Sequence, residues 1–215
     1  MVLIETLPFG AYLTYTPRGQ STSAQQSKNL MLKVKTDGKI GTPPKLISEF
    51  VAEKIKENIE TLPFKDFFGS DVALVPVPKS SLMQQGSLWV PDRLVSAFEQ
   101  QNLGKRYPCL QRVVAVNKSA TSSNENRPKA NDHFESVQCK VILPPPTKII
   151  LVDDIVTRGS TLLGCASRLK SIFPNTQIYA FAVIRTISDE AQFEKIEQPC
   201  IGEINLINNE TFRNP

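Results

Sequence analysis

A buried strand that ends in two adjacent carboxylates constrains this chain more than any other stretch. Lys148-Ile149-Ile150-Leu151-Val152 is a β-branched, apolar run, and Asp153-Asp154 follow it directly. The next residues, Ile155-Val156-Thr157-Arg158-Gly159-Ser160-Thr161, make a small hydroxylated turn in which Gly159 is free to adopt positive φ. A helix is expected from there to Pro174, with Leu162, Ala166, Leu169 and Phe173 on one face. Gln177 to Ile184 reads as the next strand. Strands alternating with helices argue for βαβ units and a mostly parallel sheet. In such sheets ligands bind beyond the carboxyl ends of the strands, where the two acids lie.

The other elements follow from periodicity and turn chemistry. Tyr12 to Thr16 and Leu30 to Lys35 are expected as short strands, separated by the polar loop Arg18 to Ser23 and followed by a turn at Thr36-Asp37-Gly38-Lys39. Thr42-Pro43-Pro44 is expected to open a helix whose apolar face is Ile47, Val51, Ile55 and Ile59. Val72 to Pro78 reads as a buried strand entering a loop at Lys79-Ser80-Ser81, and Pro91 to Gln101 as a helix burying Leu94, Val95 and Phe98. Arg112 to Val116 is β-rich, and Ile201 to Ile207 is expected as an edge strand. Residues 117–132 contain almost nothing to bury and carry Lys118, Arg127 and Lys129. A loop of this length in a compact chain is either functional or disordered.

Charge and cysteine usage narrow the function classes. The balance of 25 basic and 21 acidic residues gives a net charge of +4, compatible with a small anionic ligand and too weak to argue for nucleic acid. Four cysteines, at 109, 139, 165 and 200, form no CxxC, and His133 is the only histidine. Neither a zinc site nor a disulfide framework is expected. Cys165 is expected in the core of its helix, and His133 in a structural or solvated role. Met1 to Gly10 lacks a basic n-region, and no apolar run approaches the length of a spanning helix. A cytoplasmic protein with reduced thiols, not bound to a membrane, is the expectation.

The turn after Asp154 supplies backbone N–H groups and a helix dipole suited to a phosphate. Carboxylates beside such a nest would repel phosphate unless they hold sugar hydroxyls. A ribose 5-phosphate satisfies both halves of the site.

The run Ile149 to Thr161 closely resembles the phosphoribosyl pyrophosphate (PRPP) signature of the type I phosphoribosyltransferases. Ala73 to Ser80 looks like the strand and pyrophosphate loop of the ComF-like competence group, and the Arg-Pro-containing loop before His133-Phe134 looks like the flexible loop of the same group. The resemblance implies an α/β, parallel-sheet type I phosphoribosyltransferase fold over residues 71–187. Residues 1–70 would be an N-terminal β/helix addition, with a hood as one reading of it, and 188–215 a C-terminal extension. It implies ribose hydroxyls on Asp153 and Asp154 and the 5-phosphate in Thr157, Arg158, Gly159, Ser160 and Thr161. Pyrophosphate would lie on Lys79 and Ser80, with Lys118, Arg127 and Lys129 closing over it. Magnesium would accompany PRPP, with Asp153 and Asp154 as its protein ligands.

The implied activity is transfer of the phosphoribosyl group to a nitrogenous base with release of pyrophosphate, within nucleotide metabolism. No residue is assigned as acid or base. The partners implied are PRPP and an unidentified base, in a homodimer without direct nucleic-acid contact. The alternative is a non-catalytic PRPP or nucleotide sensor, or a competence-type accessory of DNA uptake. The chain departs from the group in three ways. It lacks a cysteine-rich zinc element, carries Arg158 where a small residue is usual, and has Thr157 where some purine-salvage members place a carboxylate.

Overall fold

The computed structural model describes residues 3–117, 127–141 and 143–215. The chain begins with β1 (Thr6–Tyr15), α1 (Thr22–Thr36), the two-residue strands β2 (Lys39–Ile40) and β3 (Lys45–Leu46), and α2 (Ile47–Asn58). Next come β4 (Ala73–Pro76), α3 (Val90–Gln100), β5 (Lys105–Arg106), β6 (Leu110–Arg112), α4 (Ala130–Glu135) and β7 (Val137–Cys139). It ends with β8 (Lys148–Val156), α5 (Ser160–Ile172), β9 (Gln177–Thr186), β10 (Glu197–Ile207) and β11 (Glu210–Asn214).

The main sheet runs β11-β10-β1-β9-β8-β4-β5. From β1 to β5 every pairing is parallel, while β10 and β11 are antiparallel to their neighbours. The fold is therefore α/β with a mostly parallel central sheet, as the strand–helix alternation implies. All three stretches distinguished in the sequence supply strands to it: β1 lies within residues 1–70, β4, β5, β8 and β9 within 71–187, and β10 and β11 within 188–215.

A parallel sheet must be covered on both faces, and β8 shows how. Ile150 and Val152 pack on one side with α2 and α3 residues such as Val51, Ile55, Leu94 and Phe98. Ile149 and Leu151 pack on the other with Leu162, Cys165, Ala166 and Leu169 of α5. Cys165 is fully buried there.

Several expectations are corrected. Leu30 to Lys35 belongs to α1, not to a strand. Ser21 caps that helix through Ala24 N–H, and Ala24, Ser27, Met31 and Val34 form its buried stripe at helical spacing. The Thr42–Pro44 segment lies between β2 and β3, and α2 starts only at Ile47. Its N-cap residue is Leu46, and a first-turn N–H, that of Ser48, donates to the remote Asp37 Oδ1 at 3.0 Å while Asp37 Oδ2 pairs with Arg93 at 3.1 Å. In the Arg112–Val116 run only Arg112 is in a strand, β6, which pairs with β7 outside the main sheet. Ile201 to Ile207 is an interior strand between β1 and β11, because Asn208 and Asn209, with φ of 50° and 63°, turn the chain back into an extra edge strand.

No helix among the described residues is long and apolar enough to cross a membrane.

Candidate functional site

Where β8 ends, three segments distant in sequence meet around a pocket of about 110 Å3. Its floor is Asp153 and the turn Thr157 to Thr161; Arg127 and Lys129 form one wall and Glu210 of β11 another. Gly159 is the residue before α5 and has φ of 91°, so it needs the left-handed region that glycine enters without strain. A Cβ there would also lie 2.6 Å from the Ile204 side chain of β10. The turn is thus kept narrow from behind, and the first N–H groups of α5 open toward the pocket.

Of the two acids, Asp153 lines the pocket and Asp154 does not. Alternation along the strand directs them to opposite faces. Burial, reinforced by the neighbouring Asp154 charge, holds the Asp153 carboxyl well above the usual carboxylate range. Each acid also engages local backbone. Asp154 N–H donates to Asp153 Oδ1 at 2.9 Å, and Ile155 N–H to Asp154 Oδ1 at 2.8 Å.

The turn is fastened by the C-terminal hairpin, whose part in the site the sequence reading missed. Arg213 Nε donates to Thr157 O at 2.8 Å, and Arg213 also reaches Thr186 O at the end of β9. Ser160 Oγ and Thr211 Oγ1 are 2.6 Å apart. Arg158 is exposed and stands in the pocket wall. Lys129 Nζ pairs with Glu210 at 2.9 Å, which keeps the Glu210 carboxyl below its usual range. Arg127 Nε is buried and has no hydrogen-bond partner among the described residues. Lys118 lies outside the described residues.

The residues expected at the pyrophosphate stand apart from this pocket. Lys79 lines a second cavity of about 260 Å3, together with Trp89, Cys109 and Arg112. Its carbonyl accepts from Arg112 Nε at 2.9 Å, and the Ser80 carbonyl from Val116 N–H at 2.9 Å. Arg112, only 4% exposed, is the second group missed. It also bonds Ser136 Oγ and approaches His133 Nδ1 at 3.4 Å; His133 Nε2 is in turn 3.2 Å from Thr161 Oγ1. His133 is therefore buried rather than solvated, and it is bonded to the turn that opens α5.

Both omissions have the same origin. A lone Arg at a strand end and a polar C-terminal tail carry no local motif. The Asn208-Asn209 pair between Ile207 and Glu210 was the available signal for the hairpin. Among the described residues no group of three or more His, Cys, Asp or Glu side chains could hold a metal ion.

No family model matches the chain, and no curated protein does. Among solved structures it is similar to a hypoxanthine phosphoribosyltransferase from Staphylococcus aureus, seen in two crystal forms. The tetragonal form is 12% identical, with 74% of this chain and 75% of that one covered and a TM-score of 0.35. The orthorhombic form is 14% identical, with 66% and 74% covered and a TM-score of 0.32. A glutamine mutant from a study of an invariant aspartic acid in HPRTs is 10% identical, with 80% and 91% covered and a TM-score of 0.33. Similarity this distant says nothing about the site.

Proposed function

We propose that this chain is a type I phosphoribosyltransferase of the ComF-like kind, binding PRPP with magnesium and passing the phosphoribosyl group to a nitrogenous base. The observation that carries the reading is the pocket at the end of β8. One cavity there joins a glycine-initiated helix N-terminus, a carboxyl group and Arg127, whose Nε has no partner among the described residues. The turn 157–161 presents donors to a 5-phosphate, and Arg127 adds a charge-assisted donor. Asp153 accepts from ribose hydroxyls, while Asp154 faces away from the pocket.

Burial and the Asp154 charge raise the Asp153 carboxyl above the usual range, and in either protonation state it can accept from a hydroxyl. Lys79 and Ser80 are assigned to the pyrophosphate end, with Lys118 and Lys129 contributing positive charge. In this reading the protein positions C1 of the ribose, stabilises charge on the departing diphosphate and excludes water. No side chain is given an acid or base role. Cytoplasmic localisation and a homodimer belong to the same proposal.

Only Asp153 of the two acids lines the pocket, too little for a protein-only magnesium cage. It fits an ion that arrives on diphosphate oxygens and keeps several waters. When bound, it would neutralise charge on the leaving group.

Calorimetric titration with PRPP and magnesium, followed by pyrophosphate release across a panel of bases, tests the proposal. Saturable binding with base-dependent release is the expected result. Binding without release for any base would establish the sensor alternative, and absence of binding would remove the site assignment.

A further inference from the structure

We propose that His133 is a positioning residue for the phosphate turn: its Nε2–H donates to Thr161 Oγ1 and so directs the hydroxyl proton of Thr161 outward to the bound phosphate. The proposal rests on the reading of 157–161 as a 5-phosphate site.

Hydrogen-bond chemistry sets the direction of the relay. Arg112 Nη2 is 3.4 Å from His133 Nδ1, and a guanidinium can only donate. Nδ1 must therefore present its lone pair, which leaves the ring proton on Nε2. Nε2 is 3.2 Å from Thr161 Oγ1, so this oxygen is the acceptor and its own proton must be used elsewhere. Thr161 lines the pocket at the head of α5, where a phosphate oxygen would be the acceptor. The tautomer thus decides whether Thr161 offers a donor or only a lone pair to an anion.

The ring is held where this relay needs it. His133 is 1% exposed. It lies on α4, which rests directly on α5 at Gly164. A Cβ on that glycine would be 2.4 Å from Ala130 O and 2.6 Å from His133 Cβ. The charged groups facing the ring are Arg112 from β6 and Asp132 of its own helix; α5 presents only the Thr161 hydroxyl. Burial, assisted by the Arg112 cation and opposed by Asp132, pushes the ring down to about 4, so it is neutral at physiological pH. Arg112 itself is locked by the Lys79 carbonyl and Ser136 Oγ, so the lone pair on Nδ1 is engaged from a fixed side.

His133 is the only histidine, so ring 15N NMR reads it without assignment. The expected spectrum is the neutral Nε2–H tautomer between about pH 5 and 8, with ribose 5-phosphate moving Nε2 more than Nδ1. Titration with ribose 5-phosphate supplies the second readout. His133→Asn places its amide near Nδ1 and loses the donor to Thr161, while His133→Gln places an amide near Nε2 and restores it. We expect His133→Asn and Thr161→Val each to weaken binding about tenfold, the double variant to be no worse than either, and His133→Gln to recover most of the affinity. Circular dichroism confirms that each variant is folded before it is titrated. An Nδ1–H tautomer, additive losses or an unaffected His133→Asn would overturn the proposal. A wild-type protein that fails to bind ribose 5-phosphate would instead overturn the functional reading beneath it.

Discussion

The turn after β8 and the loop after β4 both leave the same edge of the sheet from adjacent parallel strands, yet they are built in opposite ways. The first enters a helix at once, through Gly159, so its order comes chiefly from the α5 backbone, with Arg213 and Thr211 of the C-terminal hairpin fastening it from outside. The second runs from Val77 to Trp89 before α3 begins at Val90. It is held from behind by its carbonyl groups, Lys79 to Arg112 and Ser80 to Val116 N–H. One loop is organised by regular structure, the other by a buried cation. The first should fail when its backbone is strained, and the second when that cation is removed.

Gly159→Ala should produce the largest effect. Positive φ at a non-glycine residue and contact with Ile204 together should cost about 3 kcal/mol, with loss of ribose 5-phosphate binding. Chemical denaturation and titration would measure both. A stable variant with wild-type affinity would show that the turn does not depend on its backbone.

Arg112→Met should come next, at about 2 kcal/mol, because it leaves the Lys79 carbonyl and Ser136 without their buried donor. Proteolysis in native buffer should then cleave within 77–89 sooner than elsewhere among the described loops. Unchanged cleavage there would mean that the β4 loop is held by something other than the cation.

Asp153→Asn sharpens the contrast from the electrostatic side. An acid whose folded-state pKa is raised contributes stability below its unfolded value and loses it as pH rises through the folded one. The variant should therefore melt higher than the wild type, by roughly 2–4 °C at about pH 8. The gain should vanish below about pH 4, where both forms are neutral. A gain independent of pH would mean that the burial of Asp153 is not what raises its pKa.

The smallest effect is expected at Glu210→Gln. It releases Lys129 from its ion pair and removes a carboxylate from the pocket wall. Phosphate affinity should rise about twofold to fivefold at low salt and converge with the wild type at high salt. Equal affinity at low salt would show that the pair does not compete with the anion.

How far the sequence could be read follows from how local each feature is. The β8 strand, its acids, Gly159 and α5 occupy one contiguous segment, so periodicity and turn chemistry suffice for them. The α1 helix was missed because Leu30-Met31-Leu32 is an apolar cluster too short to reveal its period, and its stripe becomes visible only with Ala24 and Ser27 included. The Glu210, Arg213 and Thr211 contacts arise from a hairpin that returns to Thr157 and Ser160 across more than fifty intervening positions. Nothing near Arg112 in the chain indicates that its partners are Lys79, Ser136 and His133. Pairings of that kind are set by the sheet order, which sequence pattern alone does not specify.

The position of β1 also bears on how the molecule comes into being. It precedes every other strand of this sheet along the chain, yet it lies between β9 and β10, two of the last of them. Its Leu7, Phe9, Ala11 and Leu13 are all buried in the finished protein. During vectorial synthesis these residues emerge with neither neighbour available, and the strand stays unpaired while well over a hundred further residues are added. Closing so long a chain segment is slow, because ordering entropy is lost before the contacts that offset it form. The pocket walls contributed by β11 come later still. The β8–α5 turn lacks its fastenings from Thr211 and Arg213 until β11 is in place, so the binding site is complete only when β1, β10 and β11 have joined the sheet.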